Sequence, residues 1–186
     1  NSTKITIENS VIVNNSYSGI SFHNSSNNAL IGNEASNNSH GIGLFSGSKN
    51  NLVFHNNFIN NTIQTYVNTS YTNTWDNGYP SGGNYWSNYT DVDLYTGPHQ
   101  NITGRDGIWD HPYVVDANNQ DKYPLTNPWT PLKGDIDGDW DVDSDDLHTF
   151  SEAYGTRLEE PNYHTRADLD QDGDVVDIYD LYALAR

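Results

Sequence analysis

The chain contains no cysteine and no methionine. Without cysteine, no disulfide supports the fold. Methionine is missing even at position 1, so Asn1 reads as a processed or excised start. No apolar run approaches the ~20 residues of a membrane helix. Basic residues are scarce: eight Lys and Arg stand against 25 Asp and Glu, a net charge of −17 over 186 residues. Nucleic-acid binding wants a basic face, so this balance suits cations instead. The acidity is local. Sixteen of the acids and four of the bases lie from Lys133 onward, so that segment carries −12 and the rest −5. A chain of this length holds one to three small domains.

Two stretches account for the acidity. Asp135-Ile-Asp137-Gly-Asp139-Trp-Asp141-Val-Asp143-Ser-Asp145-Asp146 and Asp168-Leu-Asp170-Gln-Asp172-Gly-Asp174-Val-Val-Asp177-Ile-Tyr-Asp180 place a carboxylate on every second residue. Carboxylates this close repel one another, and a hard dication with six to eight oxygen ligands removes that penalty. The spacing fits the EF-hand calcium loop: side chains at positions 1, 3, 5 and 12, a carbonyl at 7 and a water at 9. In the first loop these are Asp135, Asp137, Asp139 and Asp146, with the Asp141 carbonyl and Asp143 for the water. The second begins with Asp168, Asp170 and Asp172 and ends with Asp177 and Asp180. It carries one extra residue, placed between Asp172 and Asp177, a span that includes Asp174. Two calcium ions are expected.

Paired loops, each followed by one helix, resemble a dockerin domain over residues 133–186. The resemblance rests on DIDGDWDVDSDDL and DLDQDGDVVDIYDL. It implies a small duplicated calcium module that plugs into a cohesin partner outside the cell. Trp140 stands where such loops carry glycine, and positions 10 and 11 read Ser144-Asp145 and Ile178-Tyr179 rather than Ser-Thr-like pairs. After Asp146, the apolar residues Leu147, Phe150 and Tyr154 fit one helix face, stopped by Gly155. After Asp177, Ile178, Leu181 and either Tyr182 or Leu184 do the same. Ser144, Asp145, Leu147, Ile178, Tyr179 and Tyr182 are the candidate docking residues.

Residues 1–72 are built from Asn, Ser, Gly and short β-branched clusters. Ser18-Gly-Ile-Ser-Phe22 recurs as His40-Gly-Ile-Gly-Leu44, an offset of 22 residues, and Asn28-Ala-Leu-Ile31 recurs at that offset as Asn50-Asn-Leu-Val53. Ile5-Thr-Ile7 and Val11-Ile-Val13 begin the series. Short alternating strands at this period predict a right-handed parallel β-helix, with apolar residues stacked ~4.8 Å apart and Asn at left-handed corners. These coils resemble the NosD-like, carbohydrate-binding-and-sugar-hydrolase class of β-helices. The first rung opens in mid-pattern and leaves an uncovered edge, an association hazard. The coils carry only Glu8 and Glu34 as acids, too few for the clusters that sugar-cleaving β-helices use. His23, His40 and His55 do not share the repeat phase and read as surface or corner residues rather than copper ligands.

Residues 73–132 change character. Trp75, Trp86, Trp109 and Trp129 occur with many tyrosines amid Gly and Pro. The strings TWDNGYPSGGNYWSNY, GRDGIWDHPYVVD and NQDKYPLTNPW are similar to a segment that follows the coils in archaeal and bacterial NosD-like surface proteins. Large aromatics plug the apolar end of a β-helix; exposed, they would instead form a sugar-stacking platform. Asp106 and Asp110 are candidates for one more calcium. Sequons at Asn1, Asn14, Asn24, Asn37, Asn60, Asn68, Asn88 and Asn101 fit a secreted glycoprotein.

The fold expected is mostly β: a parallel β-helix with an aromatic-rich cap, then a small α-helical, EF-hand-like dockerin domain. The favoured function is a non-enzymatic extracellular or cell-surface structural module. Its calcium domain docks onto a cohesin-like domain or a neighbouring copy, with head-to-tail filaments as one consequence. The alternatives are a fragment of a dockerin-tethered carbohydrate-active enzyme, its catalytic rungs upstream of Asn1, or a glycan-binding module using the Trp and Tyr residues.

Overall fold

The computed structural model describes residues 2–68, 71–137, 142–170 and 175–184. The chain divides into two compact units, residues 1–130 and 131–186.

In the first unit the strands come in threes. β1 (Thr6–Glu8), β2 (Val11–Val13) and β3 (Ser18–His23) make one turn. The second turn is β4 (Ala29–Ile31), β5 (Glu34–Ser36) and β6 (His40–Phe45), and the third β7 (Leu52–Phe54), β8 (Asn57–Ile59) and β9 (Ile63–Asn68). Each strand pairs in parallel with its counterpart one turn on, giving three sheets, β1-β4-β7, β2-β5-β8 and β3-β6-β9. This is a parallel β-helix. A short fourth-turn strand, β10 (Tyr85–Trp86), adds to the second sheet.

The registers revise the expected repeat. The offset of 22 holds between β3 and β6, where Ser18 faces His40. From β1, β2, β4, β5 and β6 to the strands one turn on, the step is one residue longer: Ala29 faces Leu52, and Asn28 lies over Asn51 rather than Asn50. The local difference arises before β3. The Ser39 N–H bonds to the Asn15 carbonyl and the His40 N–H to that of Tyr17, so Ser16 is looped out of the ladder.

Inward positions stack in columns: Ile7–Leu30–Val53, Ile12–Ala35–Phe58–Trp86 and Phe22–Leu44–Val67. Leu30, Ile42, Leu44 and Val53 are wholly buried, each contributing roughly 1.5–3 kcal/mol by leaving water. The corners are left-handed, with φ from 48° to 59° at Asn9, Asn14, Asn24, Asn27, Asn37, Asn50 and Asn60. A short polar side chain that can bond locally tolerates this region best.

A second set of asparagines points inward instead. The Asn28 amide donates to Asn51 Oδ1 at 2.9 Å and the Asn51 amide to Asn73 Oδ1 at 2.9 Å. A parallel ladder runs Asn33, Asn56, Asn84, again with 2.9 Å links. A third joins Asn15, Asn38 and Asn61. Each interior amide also bonds a backbone carbonyl of another turn, as Asn56 does with Leu30 at 2.9 Å. Buried polar groups stay cheap only when fully paired, and these are paired along the coil axis.

The aromatic segment closes the end of the coil and belongs to the same unit. Trp75 and Trp86 are 0% and 1% exposed. Trp86 stacks on Phe58 with ring centres 4.6 Å apart, and Tyr113 stacks on Trp86 at 4.2 Å. The hairpin of β13 (Tyr113–Asp116) and β14 (Asn119–Asp121) follows β11 (Tyr95–Thr96) and β12 (Ile102–Thr103). From β14, Asn119 Oδ1 accepts the Asn73 N–H at 2.8 Å and the Trp75 indole at 3.2 Å. Asp121 Oδ2 accepts the Asn84 N–H at 2.7 Å and the Trp86 indole at 2.9 Å. A Cβ on Gly83 would overlap the Asp121 carboxylate.

The second unit holds α1 (Ser144–Ala153) and α2 (Ile178–Leu184), with one 3-10 turn at Thr165–Ala167. Its core is Ile136, Phe150, Ala153, Ala167 and Val176, with Tyr163, Leu169 and Leu181 packed against it. The helix faces differ from expectation. Leu147, Tyr154 and Ile178 are 54%, 51% and 56% exposed, while α1 buries Asp146, Phe150 and Ala153. Asp146 is held inward by hydrogen bonds to the preceding loop, and that fixes the rotation of the helix. No helix among the described residues is long and apolar enough to cross a membrane.

Candidate metal centre

Each acidic stretch runs into the start of a helix, where unpaired backbone N–H groups favour carboxylates. At α1, Asp143 is the N-cap and its Oδ1 accepts the Asp145 N–H at 2.7 Å. Asp146 reaches back to the Asp143 N–H through Oδ2, also at 2.7 Å, completing a capping box. Its Oδ1 accepts from Ile136 at 2.5 Å and Asp137 at 3.2 Å. One buried carboxylate thus ties the helix start to the loop start. Burial pulls the Asp146 carboxyl upward, but the N–H groups of Asp143, Asp137 and Ile136 outweigh it and hold its pKa below the ordinary value.

The second stretch repeats the scheme. Asp177 Oδ1 accepts the Tyr179 N–H at 2.7 Å. Asp180 Oδ2 accepts the Asp177 N–H at 2.8 Å, and Oδ1 accepts that of Asp170 at 3.1 Å. Asp180 is 1% exposed, like Asp146.

These bonds gather two triads, Asp135 with Asp137 and Asp146, and Asp168 with Asp170 and Asp180. In each, one oxygen per residue lies within 4.8 Å of the others, a group able to hold a metal ion. Asp135 is buried, and the Arg166 guanidinium lies 3.3 Å from its Oδ2. Tyr163 donates to Asp168 Oδ2 at 3.3 Å. Asp143 and Asp177 stand outside the triads, each committing one oxygen to a helix start. Asp139, Asp141, Asp172, Asp174 and Trp140 lie outside the described residues.

The candidate docking residues Ser144, Asp145, Leu147, Ile178 and Tyr179 are all exposed; Tyr182 falls where the side chain is not described. Of the sequon asparagines, Asn14, Asn24, Asn37, Asn60, Asn88 and Asn101 are exposed. Asn1 and the Asn68 side chain lie outside the description.

Elsewhere the donors are spent otherwise. Asp110 accepts the N–H groups of Leu94 and Tyr95, and Asp106 those of Ile108 and the Gln100 amide. Both of the triads found among the described residues lie in the second unit, and they include neither aspartate. Among the described residues the histidines do not converge in such a group either. His23 is exposed and stacks on Phe45 at 4.4 Å. His40 packs against Tyr66. His55 is a corner residue with φ 57°, but it is buried rather than on the surface. It lies stacked on Trp129, its Nε2–H donating to the Ser81 carbonyl at 2.7 Å. Burial pushes its pKa below the usual range.

Sequence reasoning missed the inward asparagine ladders altogether. A signal was present: Asn28 and Asn51, Asn33 and Asn56, and Asn38 and Asn61 are each separated by 23 residues.

Residues 1–91 match the family described as periplasmic copper-binding protein (NosD). No curated protein and no solved structure matches the chain. The match covers the coils and the first part of the aromatic segment, whereas both metal-competent triads lie beyond it. Imidazole and sulfur ligands suit copper, while carboxylate oxygens suit hard dications. The all-carboxylate triads therefore fit a hard cation.

Proposed function

We propose that residues 131–186 are a dockerin-like module that binds two calcium ions, and that the chain is a non-enzymatic structural protein acting outside the cytoplasm. The observation that supports this is the repetition of one wiring scheme. In both stretches an inward aspartate of the helix bonds back to the loop and completes an oxygen triad with the loop's first and third residues. Oxygen-only donors are the chemistry of calcium sites. With a core of five buried residues among those described, this unit depends on the ion for part of its folding free energy.

The exposed Leu147, Ile178 and Tyr179 then serve as the docking surface for a cohesin-like domain or a neighbouring copy. The β-helix serves as a rigid spacer. The test is far-UV circular dichroism of the whole chain with calcium and with EDTA. Chelation removes the helical signal and leaves the β signal; a helical signal indifferent to EDTA overturns the proposal.

A further inference from the structure

The aromatic segment contains an open cleft of about 500 Å³. Asp91, Asp93, Arg105, Trp109, Thr126 and Asn127 line it. We propose that this cleft binds a neutral hexose residue of a glycan, independently of the calcium module.

The cleft is built on stiff backbone. The Asp110 N–H bonds to the Val92 carbonyl at 2.9 Å, and the Asp110 carboxylate returns to Leu94 and Tyr95. The Trp109 N–H bonds to the Pro124 carbonyl and the Thr126 N–H to that of Gly107, both at 2.9 Å. Between them Ile108 is buried, 3% exposed. Three chain segments are thus pinned together, and a site held in place before its ligand arrives loses less on binding.

The side chains facing this frame have capacity to spare. Arg105 is exposed and forms none of the ion pairs or hydrogen bonds found among the described residues, although Asp91 and Asp93 share its cleft. Asp91 spends Oδ2 on His111, whose Nδ1 lies at 2.6 Å, and Asp93 spends Oδ1 on the Asp106 N–H at 3.3 Å. Each carboxylate has a second oxygen for another donor. The half-buried Trp109, which lines the same cleft, carries a broad aromatic ring and an indole N–H.

This mixture selects its ligand by chemistry. A pyranose presents an apolar C–H face, which an indole ring covers. Around its rim are hydroxyls that donate and accept at once. Carboxylates take the donated protons, while Arg105 and the Asn127 amide donate to the oxygens. Acidic ligands meet two carboxylates in a segment, residues 1–132, that itself carries −5, so one arginine does not hold them.

The whole chain is titrated by calorimetry with hexasaccharides of glucose, mannose and galactose, and with hexagalacturonate and a glucosamine hexamer as charge controls. At least one neutral hexasaccharide binds saturably, and W109A and R105Q each weaken it tenfold or more. W129A, which alters the Trp129 stack on His55, leaves it unchanged. R105Q removes no partner that holds the fold, so it decides the matter even where W109A fails to fold. Absence of neutral-sugar binding, binding confined to the charged sugars, or binding untouched by R105Q overturns the proposal.

Discussion

Asn119 and Asp121, two residues apart on β14, close two different asparagine ladders and hold two different tryptophan indoles. A strand presents alternate residues to one face, so a single short strand terminates both ladders. The cap is therefore fastened by hydrogen bonds as well as by ring stacking. Burial pushes the Asp121 carboxyl up to about 7, against the downward pull of the Asn84 N–H, the Trp86 indole and the Tyr123 N–H.

This carboxyl sets a pH dependence. Its folded pKa of about 7 stands above the ordinary 3.8, so the folded chain keeps a proton that the unfolded chain releases in between. The resulting stabilisation is whole below about pH 4 and is lost as pH rises through about 7. Melting followed by near-ultraviolet circular dichroism falls in midpoint from pH 5 to pH 8, and D121N flattens that slope. D121A strands several buried donors and costs about 3 kcal/mol or more at either pH.

The two classes of asparagine separate under mutation. Asn56 is 1% exposed and bonds Leu30, Phe54 and Asn84 through its amide. N56A costs about 3 kcal/mol or more, because several buried partners lose their bonds together. Asn37 is an exposed corner with φ 55°, and N37A costs ~1 kcal/mol through the left-handed backbone alone. Urea unfolding monitored by tryptophan fluorescence distinguishes them.

In the second unit, F150A removes a core ring that is 3% exposed and costs about 3–5 kcal/mol. L147A changes a side chain that is 54% exposed and stays within about 0.5 kcal/mol. Loss of helical circular dichroism on heating, in the presence of calcium, gives both values. Equal losses would restore Leu147 to the core.

Much of this was legible in the sequence, for particular reasons. Ile20, Phe22, Ile42 and Leu44 recur at fixed phase in a polar background, so the coil stands out. The inward asparagines escape notice because corner asparagines of the same composition surround them and blur the period. The alternate aspartates announce their loops through charge alone. The rotation of α1 does not show, since Leu147, Phe150 and Tyr154 fit a helical face as well as Asp146, Phe150 and Ala153 do. A buried aspartate tied to the Ile136 and Asp137 N–H groups decides between them, and an apolar pattern does not count aspartates. The cleft around Trp109 joins positions from 91 to 127 through backbone pairings that no local pattern encodes.

On the proposed function, Asp135, Asp137 and Asp146, and Asp168, Asp170 and Asp180, form two cages for a hard dication. Calorimetric titration of calcium into the metal-stripped chain tests it most directly. Two equivalents bind, falling to one in D146N and one in D180N, and none in the double variant. No heat and no saturation at millimolar calcium, or binding that survives the double variant, would contradict it.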